Sequence, residues 1–128
     1  MLLVLLLFGR EKLAIHQYVK TLQSLSEQID TFRVNHQKLP TANQFEQFDF
    51  SSRNLSKENV IYRIDQIVPD CPEETILIHT PILNLRLFSS GCAVILLNGQ
   101  VQWLAAQDFL VKLERDQQFY NSQLIELK

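Results

Sequence analysis

The sequence contains few of the residues that break or cross-link a chain: three glycines, four prolines and two cysteines in 128 residues. So few glycines and prolines, with no repeating period, exclude collagen-like and low-complexity chains. The two cysteines allow one intramolecular disulfide, Cys71 to Cys92, if the domain lies in an oxidising compartment. We favour two unpaired thiols, because spacing alone does not show that the two Cβ atoms approach each other.

The chain also lacks an excess of charge of either sign. Twelve Lys and Arg residues stand against fourteen Asp and Glu residues, and no stretch interleaves basic with aromatic residues as a nucleic-acid surface would. Nucleic acid is therefore not an expected partner. A hydrophobic content of 46% with eight phenylalanines is ample for one packed domain.

Motifs of known chemistry are missing as well. The sequence has no G-x-S-x-G, no glycine-rich phosphate loop and no paired Cys or His spacing typical of a metal site. His16 and His36 fall at the flank and at the end of the predicted long helix, and His79 falls on a predicted strand, so the three match no ligand pattern. We therefore predict no enzyme activity, no catalytic residue, no cofactor and no metal.

One acidic cluster, Asp70 with Glu73 and Glu74, is the best candidate in the sequence for a metal or catalytic site. It would hold Ca²⁺ if backbone carbonyls completed the shell, but its spacing matches no calcium loop. A solvated turn between two strands is the preferred interpretation. A hydrolase using His79 with this cluster is disfavoured, because no nucleophile stands beside a base.

The first eight residues are all apolar, which is the main departure from an ordinary soluble sequence. A membrane-spanning helix needs about 20 apolar residues, and Gly9 to Lys12 does not form the small-residue cleavage site of a signal peptide. Three interpretations remain open: the end of a longer membrane segment, a partial anchor, or buried N-terminal turns of a soluble helix. The apolar N-terminal segment comprises Leu2, Leu3, Val4, Leu5, Leu6, Leu7 and Phe8.

After this segment, apolar residues recur at spacings of three and four, which predicts one long helix with one apolar stripe. The stripe consists of Ile15, Tyr18, Leu22, Leu25, Ile29 and Phe32. The helix should end between Asn35 and Leu39, because a residue before a proline, here Pro40, is pushed out of the helical region.

The rest of the chain predicts a loop or short helix over residues 41–57, followed by short strands and one further helix. An Asn98-Gly99 dipeptide between two apolar runs predicts a hairpin with a two-residue type I′ turn. Strands are predicted at residues 59–68, 75–80 and 83–88, with the hairpin at 93–104 and a short helix at 105–116. The predicted class is α+β: a long N-terminal amphipathic helix packed on a small antiparallel sheet of three to five strands, with a short C-terminal helix.

The segment from Arg10 to Phe48 combines several of these features in one order. They are the charged junction Arg10-Glu11-Lys12, the apolar stripe, Asn35-His36, the step Leu39-Pro40-Thr41, and Asn43-Gln44. In this order they resemble the stalk-to-head region of type II secretion pseudopilins of the major, G-type class.

The second half resembles the head of a pilin-like subgroup in which a strand leads into an Asp-Gly-His-Val-like hairpin, an aromatic-Leu pair and a closing helix. The positions that fit are Val94 to Leu97, Gly99, Val101, Trp103-Leu104 and Phe109. Asn98 stands where the subgroup has Asp, and Gln100 where it has His. The turn tolerates the first change, but no metal or proton role is expected at either position.

The resemblance implies a pilin-like, non-enzymatic structural subunit of a pseudopilus that supports protein export. Its partners would be other pseudopilin subunits and the secretion machinery, with the apolar helix in the bacterial inner membrane and the head in the periplasm. The implied organisation is an apolar segment at 1–9, a stalk helix at 10–38, a globular head at 39–118 and a tail at 119–128.

Three points stay open at this stage. A minor type IV pilin or a competence-type pseudopilin would share these features, and a soluble non-enzymatic binding domain would instead fold the apolar segment into its core. Prepilins carry a short basic leader ending in Gly and a Glu near the start of the apolar helix, and neither precedes Leu2. Either the true start lies upstream of Met1 and this sequence begins inside the membrane helix, or the protein has lost processing and assembly; we expect the first.

Overall fold

The structure, a computed structural model, describes residues 2–50 and 55–126. Met1, residues 51–54 of the predicted loop and residues 127–128 of the predicted tail lie outside this range. The helices are α1 (Leu2–His36), α2 (Ala42–Phe45) and α3 (Ala106–Glu126), with one 3-10 turn at Ile64–Gln66. The strands are β1 (Ile61–Tyr62), β2 (Ile76–His79), β3 (Gly91–Leu96) and β4 (Val101–Ala105). They form one antiparallel sheet in the order β1-β2-β3-β4, which confirms the predicted α+β class and is consistent with a pilin-like layout.

The sheet lies between α1 and α3, and its central strand β3 is buried along its whole length. Ala93 and Ile95 belong to the core that contains the buried residues of α1. The alternate residues Cys92, Val94 and Leu96 pack with Phe109 of α3. Because successive side chains of a strand point to opposite faces, a strand covered on both faces is apolar throughout, as the run of residues 92–96 is.

Helix α1 is continuous from the apolar segment into the head, and at a rise of about 1.5 Å per residue its 35 residues extend about 52 Å. Four of the six stripe residues are buried, whereas Ile15 and Phe32 are half-buried. The helix ends at His36, within the predicted range. Gln37 adopts a left-handed conformation (φ 58°), and its N–H donates to the carbonyl of Arg33 at 2.7 Å, as in common helix C-caps.

The chain then turns at Pro40 into the one-turn helix α2. Thr41 caps this helix: its hydroxyl accepts the N–H of Gln44 at 3.2 Å, while the Gln44 side chain accepts the N–H of Thr41 at 2.9 Å. This reciprocal pair is a capping box. The Tyr62 hydroxyl donates to the carbonyl of Pro40 at 2.6 Å, which connects the turn to β1.

Aromatic rings that pack under the end of α1 also stabilise the turn at Pro40. The rings of Phe45 and Tyr62 stack at 4.4 Å, and Phe48 and Phe50 lie 5.6 and 5.4 Å from Phe45. The three phenylalanines of this polar stretch therefore form a small core between α1 and β1.

Two strand predictions are wrong, one in its extent and one altogether. Of residues 59–68, only Ile61–Tyr62 pair in the sheet, and the chain then enters the 3-10 turn. Residues 83–88 form no strand but a loop with a single bridge between Leu83 and Gly91. Two backbone N–H groups of this loop bond the carboxylate of Glu11, and another bonds the hydroxyl of Ser90, so they are not available to a neighbouring strand.

The β3–β4 hairpin forms where predicted, but its turn type is wrong. A type I′ turn requires positive φ at both central residues, whereas Gly99 has a φ of 92° and Asn98 does not have a positive φ. Leu97, Asn98 and Gly99 form a three-residue loop in which the Gly99 N–H donates to the carbonyl of Leu96 at 2.8 Å. Glycine is still required, because the last loop residue is left-handed. The turn rests on α1, where the Ser26 hydroxyl donates to the carbonyl of Gly99 at 2.8 Å.

Helix α3 is longer than predicted, because residues 119–126 continue the helix instead of forming a tail. Its first half covers the sheet through Phe109 and Leu113. Asp116 accepts the N–H of Ile76 at 2.9 Å, which joins the middle of the helix to the start of β2.

Candidate functional site

The apolar end of α1, residues Leu2–Phe8, contains the longest run of consecutive exposed apolar residues in the described part of the chain. Leu2 to Leu6 and Phe8 are exposed, Leu3 to 80%, and Leu7 is half-buried. In the same helix Leu22 and Leu25 are 0% exposed. The head thus covers the later turns of α1 and leaves the first two turns bare. Contiguous apolar surface of this kind usually marks a contact with a partner or a membrane.

A loop from the head touches the base of this apolar end. The ring of Phe8 lies 5.1 Å from the ring of Phe88, and the Lys12 ammonium lies 5.9 Å from the centroid of Phe8. A cation at this distance from an aromatic face is weakly attracted to it. Phe8 therefore marks the level at which α1 meets the head.

Glu11 fixes this level by binding the backbone of the loop. Its carboxylate accepts hydrogen bonds from the N–H group of Arg86 and, at 2.9 Å, from that of Leu87. Removal from water raises the pKa of Glu11, but these hydrogen bonds and the Arg86 charge lower it by more, so the net pKa lies below its ordinary value. Sequence reasoning took Glu11 only as part of a charged junction, because nothing local connects positions 75 residues apart.

We expect Glu11 to make the stability of the fold depend on acid pH. Because its pKa is lower in the folded chain than in the unfolded chain, the carboxylate contributes stability above its unfolded pKa, and this contribution is lost as the pH falls through the folded pKa. Urea midpoints measured from about pH 6 to about pH 3 should therefore fall more steeply for the wild type than for Glu11→Gln. At neutral pH the Glu11→Gln midpoint should be the lower one.

The matched control is Glu27→Gln, an exposed glutamate on the same helix. Its pH profile should follow that of the wild type. If Glu11→Gln and Glu27→Gln gave the same profile, the carboxylate would not bind the loop in solution.

The remaining polar candidates are distributed over the head. His79 is half-buried on β2, with its ring 4.9 Å from Phe109 and its Nδ1 3.1 Å from the carbonyl of Thr80. Burial lowers the pKa of His79, and the nearby Arg63 charge adds to this although the Thr80 bond opposes it. Asp70, Glu73 and Glu74 are exposed on the loop before β2. Within residues 2–50 and 55–126, no group of three or more His, Cys, Asp or Glu side chains is arranged to hold a metal ion.

The two cysteines are not bonded to each other. Cys71 is half-buried in the loop before β2, where its sulfur accepts the N–H of Val68 at 3.4 Å. Cys92 is buried in β3, and burial raises the pKa of its thiol to about 12. Cys92 is therefore an unreactive core residue.

The other positions of the resemblance have structural roles that are visible in the fold. Pro40 and Thr41 shape the turn into α2, and Asn98 and Gly99 form the hairpin loop. Val101 and Trp103 pack on the side of the sheet that faces α1, and the Trp103 ring lies 6.4 Å from that of Tyr18. None of these residues lines the apolar end.

One polar group that the sequence did not identify lies between β1 and α3. The Arg63 guanidinium donates to the Gln66 side chain, and its Nε is buried without a hydrogen-bond partner. Burial lowers the pKa of Arg63, which the negative charge of Asp116 partly offsets. The alternating pattern had assigned Arg63 to a strand.

In the described part of the chain, no helix combines the length and the apolar character needed to cross a membrane. No protein-family model, curated protein or solved structure matches the chain.

Proposed function

We propose that the chain is a non-enzymatic structural subunit of a type II secretion-like pseudopilus. Subunits associate through the apolar end of α1, which lies in the bacterial inner membrane before assembly, while the α+β head faces the periplasm. The observation that supports this best is the contrast along one continuous helix between 80% exposure at Leu3 and none at Leu25.

Association through this surface is reasonable in energetic terms. Full burial of one leucine side chain contributes about 1.5–3 kcal/mol, and bringing two molecules together costs about 4–15 kcal/mol. Several side chains must therefore be buried together, and residues 2–6 offer five adjacent exposed ones. Helix packing of this kind needs no catalytic group.

There are two alternatives to this proposal. A minor type IV pilin or competence-type pseudopilin would use the same surface in another machine. A soluble binding domain would need the apolar end as part of its core, and the exposure of Leu2 to Leu6 argues against that.

Cysteine cross-linking tests the association directly. In a Cys71→Ser background, Leu3→Cys should form a disulfide-linked dimer within minutes of adding copper phenanthroline in mild detergent. The expected reason is that two copies bring their apolar ends together. Cys92 needs no replacement because its thiol is buried.

The matched control is Val34→Cys, at the other end of the same helix, where the side chain is 79% exposed. It should stay monomeric under the same oxidation. Equal dimer yields at both positions would reflect random collision and would contradict association through the apolar end.

A further inference from the structure

The loop of residues 84–89, between β2 and β3, is held at a fixed place beside the apolar end. The Glu11 carboxylate binds its backbone, and Phe88 touches Phe8. A bond from the Leu85 N–H to the hydroxyl of Ser90 at 2.8 Å closes the loop from the other side. The loop therefore lies at the level of Phe8 to Glu11 on α1.

At this level the loop exposes an apolar side chain and a basic one. Leu87 is 44% exposed, and Arg86 is exposed beside it. Leu87 is exposed on a loop that two backbone hydrogen bonds hold to the Glu11 carboxylate, so its side chain has no role in the core of the head. It adds exposed apolar surface at the level of α1 to which Glu11 holds the loop.

The charges around this surface are almost all positive. Among residues 2–13 and 82–90 the cations are Arg10, Lys12 and Arg86, all exposed. The single carboxylate there, Glu11, is buried and bound to backbone N–H groups. The surface thus combines exposed apolar side chains with three cations, which is the pattern of a segment that lies in an anionic lipid interface.

We propose that the 84–89 loop is a second lipid-contact element, which sets the head on an anionic membrane surface with Leu87 in the interface and Arg86 near lipid phosphate. This rests on the proposed function, because α1 must bring the head to a membrane. Residues 2–8 rise about 10 Å along the helix, less than the roughly 15 Å of one hydrocarbon leaflet. The loop therefore reaches the interface when the apolar end is inserted.

Vesicle binding of the full chain tests the proposal. The probe is sedimentation with vesicles of phosphatidylglycerol and phosphatidylethanolamine, compared with vesicles of phosphatidylcholine. Leu87→Ser should weaken binding to both by about fivefold, because part of one leucine leaves the interface. Arg86→Gln should weaken binding to the anionic vesicles alone, also by about fivefold.

Matched controls lie on α3, on the opposite face of the sheet. Leu110, exposed to 52%, and Arg115 are a comparable leucine and arginine. Leu110→Ser and Arg115→Gln should bind both kinds of vesicle as the wild type does. Brominated lipids, which quench tryptophan fluorescence, give an independent readout. They should quench the added fluorescence of Leu87→Trp but not that of Leu110→Trp, after the signal of the native Trp103 is subtracted.

The outcomes separate this proposal from the proposed function. If the full chain binds but the loop variants bind equally well, the lipid contact of the loop is wrong while membrane association stands. If the full chain binds no vesicle, the inner-membrane location also fails. If Leu87→Ser abolishes the Leu3→Cys cross-link and leaves vesicle binding intact, the loop contacts a second copy, and the lipid proposal is overturned.

Discussion

Replacing Leu25 by alanine should lower the free energy of unfolding by about 2–5 kcal/mol. Leu25 is 0% exposed and lies in the core that joins α1 to the sheet, with Ile78 and Ile95 among its neighbours in that core. The loss combines the removed apolar contacts with the cavity that surrounding residues fill only partly. Equilibrium urea denaturation, at a protein concentration where the chain is monomeric, measures it.

Leu3→Ala is the matched control on the same helix. Its side chain is 80% exposed, so the free energy of unfolding should change by no more than about 0.5 kcal/mol. The two variants thus compare a leucine that is buried in the core, Leu25, with one that is exposed, Leu3. Equal losses at Leu25 and Leu3 would mean that the apolar end packs as core, as the soluble-domain alternative requires.

The second large effect is expected for Gly91→Ala, at the start of β3. A Cβ built on Gly91 lies 2.1 Å from the carbonyl oxygen of Leu104 on β4, far inside van der Waals contact. Backbone atoms cannot rotate away, so the two strands must separate where Gly91 pairs with Ala105. We expect a destabilisation of about 3 kcal/mol, at the upper end of typical overpacking costs.

Gly9→Ala gives the opposite expectation and serves as the control. A Cβ at Gly9 meets nothing within 4 Å, and glycine inside a helix costs about 0.5–1 kcal/mol relative to alanine. Gly9→Ala should therefore raise the unfolding midpoint slightly. If Gly91→Ala were also tolerated, the close approach of β3 to β4 would be wrong.

Local sequence patterns were sufficient to predict a helix or a strand wherever its buried residues recur at the spacing typical of that element. The three-and-four spacing of Leu22, Leu25 and Ile29 reports one buried face, and the apolar run of β3 beside an Asn-Gly dipeptide reports a hairpin. The end of α1 could be predicted because Pro40 disfavours the helical backbone conformation at the residue before it. These signals lie within a few residues of the feature they predict.

The features that the sequence did not predict depend either on contacts between residues far apart in the sequence or on no tertiary contact. Residues 83–88 have strand-like alternation, yet Glu11, about 75 positions away, accepts the N–H groups of Arg86 and Leu87. The sequence pattern predicted a helix only to residue 116, whereas α3 continues to Glu126 with Leu124 and Ile125 exposed. Its Gln, Leu and Glu residues are good helix formers, which is a weaker signal than burial.

Only one of the two parts of the candidate site could be predicted from the sequence. The apolar run of residues 2–8 is visible in composition, but its exposure depends on how far the head reaches along α1. The loop that meets it at Phe8 could not be located, because the contact of Phe8 with Phe88 joins segments 80 residues apart. The sequence therefore indicated which residues we propose to associate, but not where the head ends.

The central claim is that the apolar end of α1 associates and does not stabilise the head. Deletion of residues 2–7 tests it most directly, with urea denaturation and sedimentation equilibrium on the shortened and full chains; this deletion keeps Phe8 and its contact with Phe88. The account predicts an unchanged urea midpoint together with loss of self-association. A drop in the midpoint equivalent to several kcal/mol, as expected if six core residues were removed, with no change in association, would contradict it.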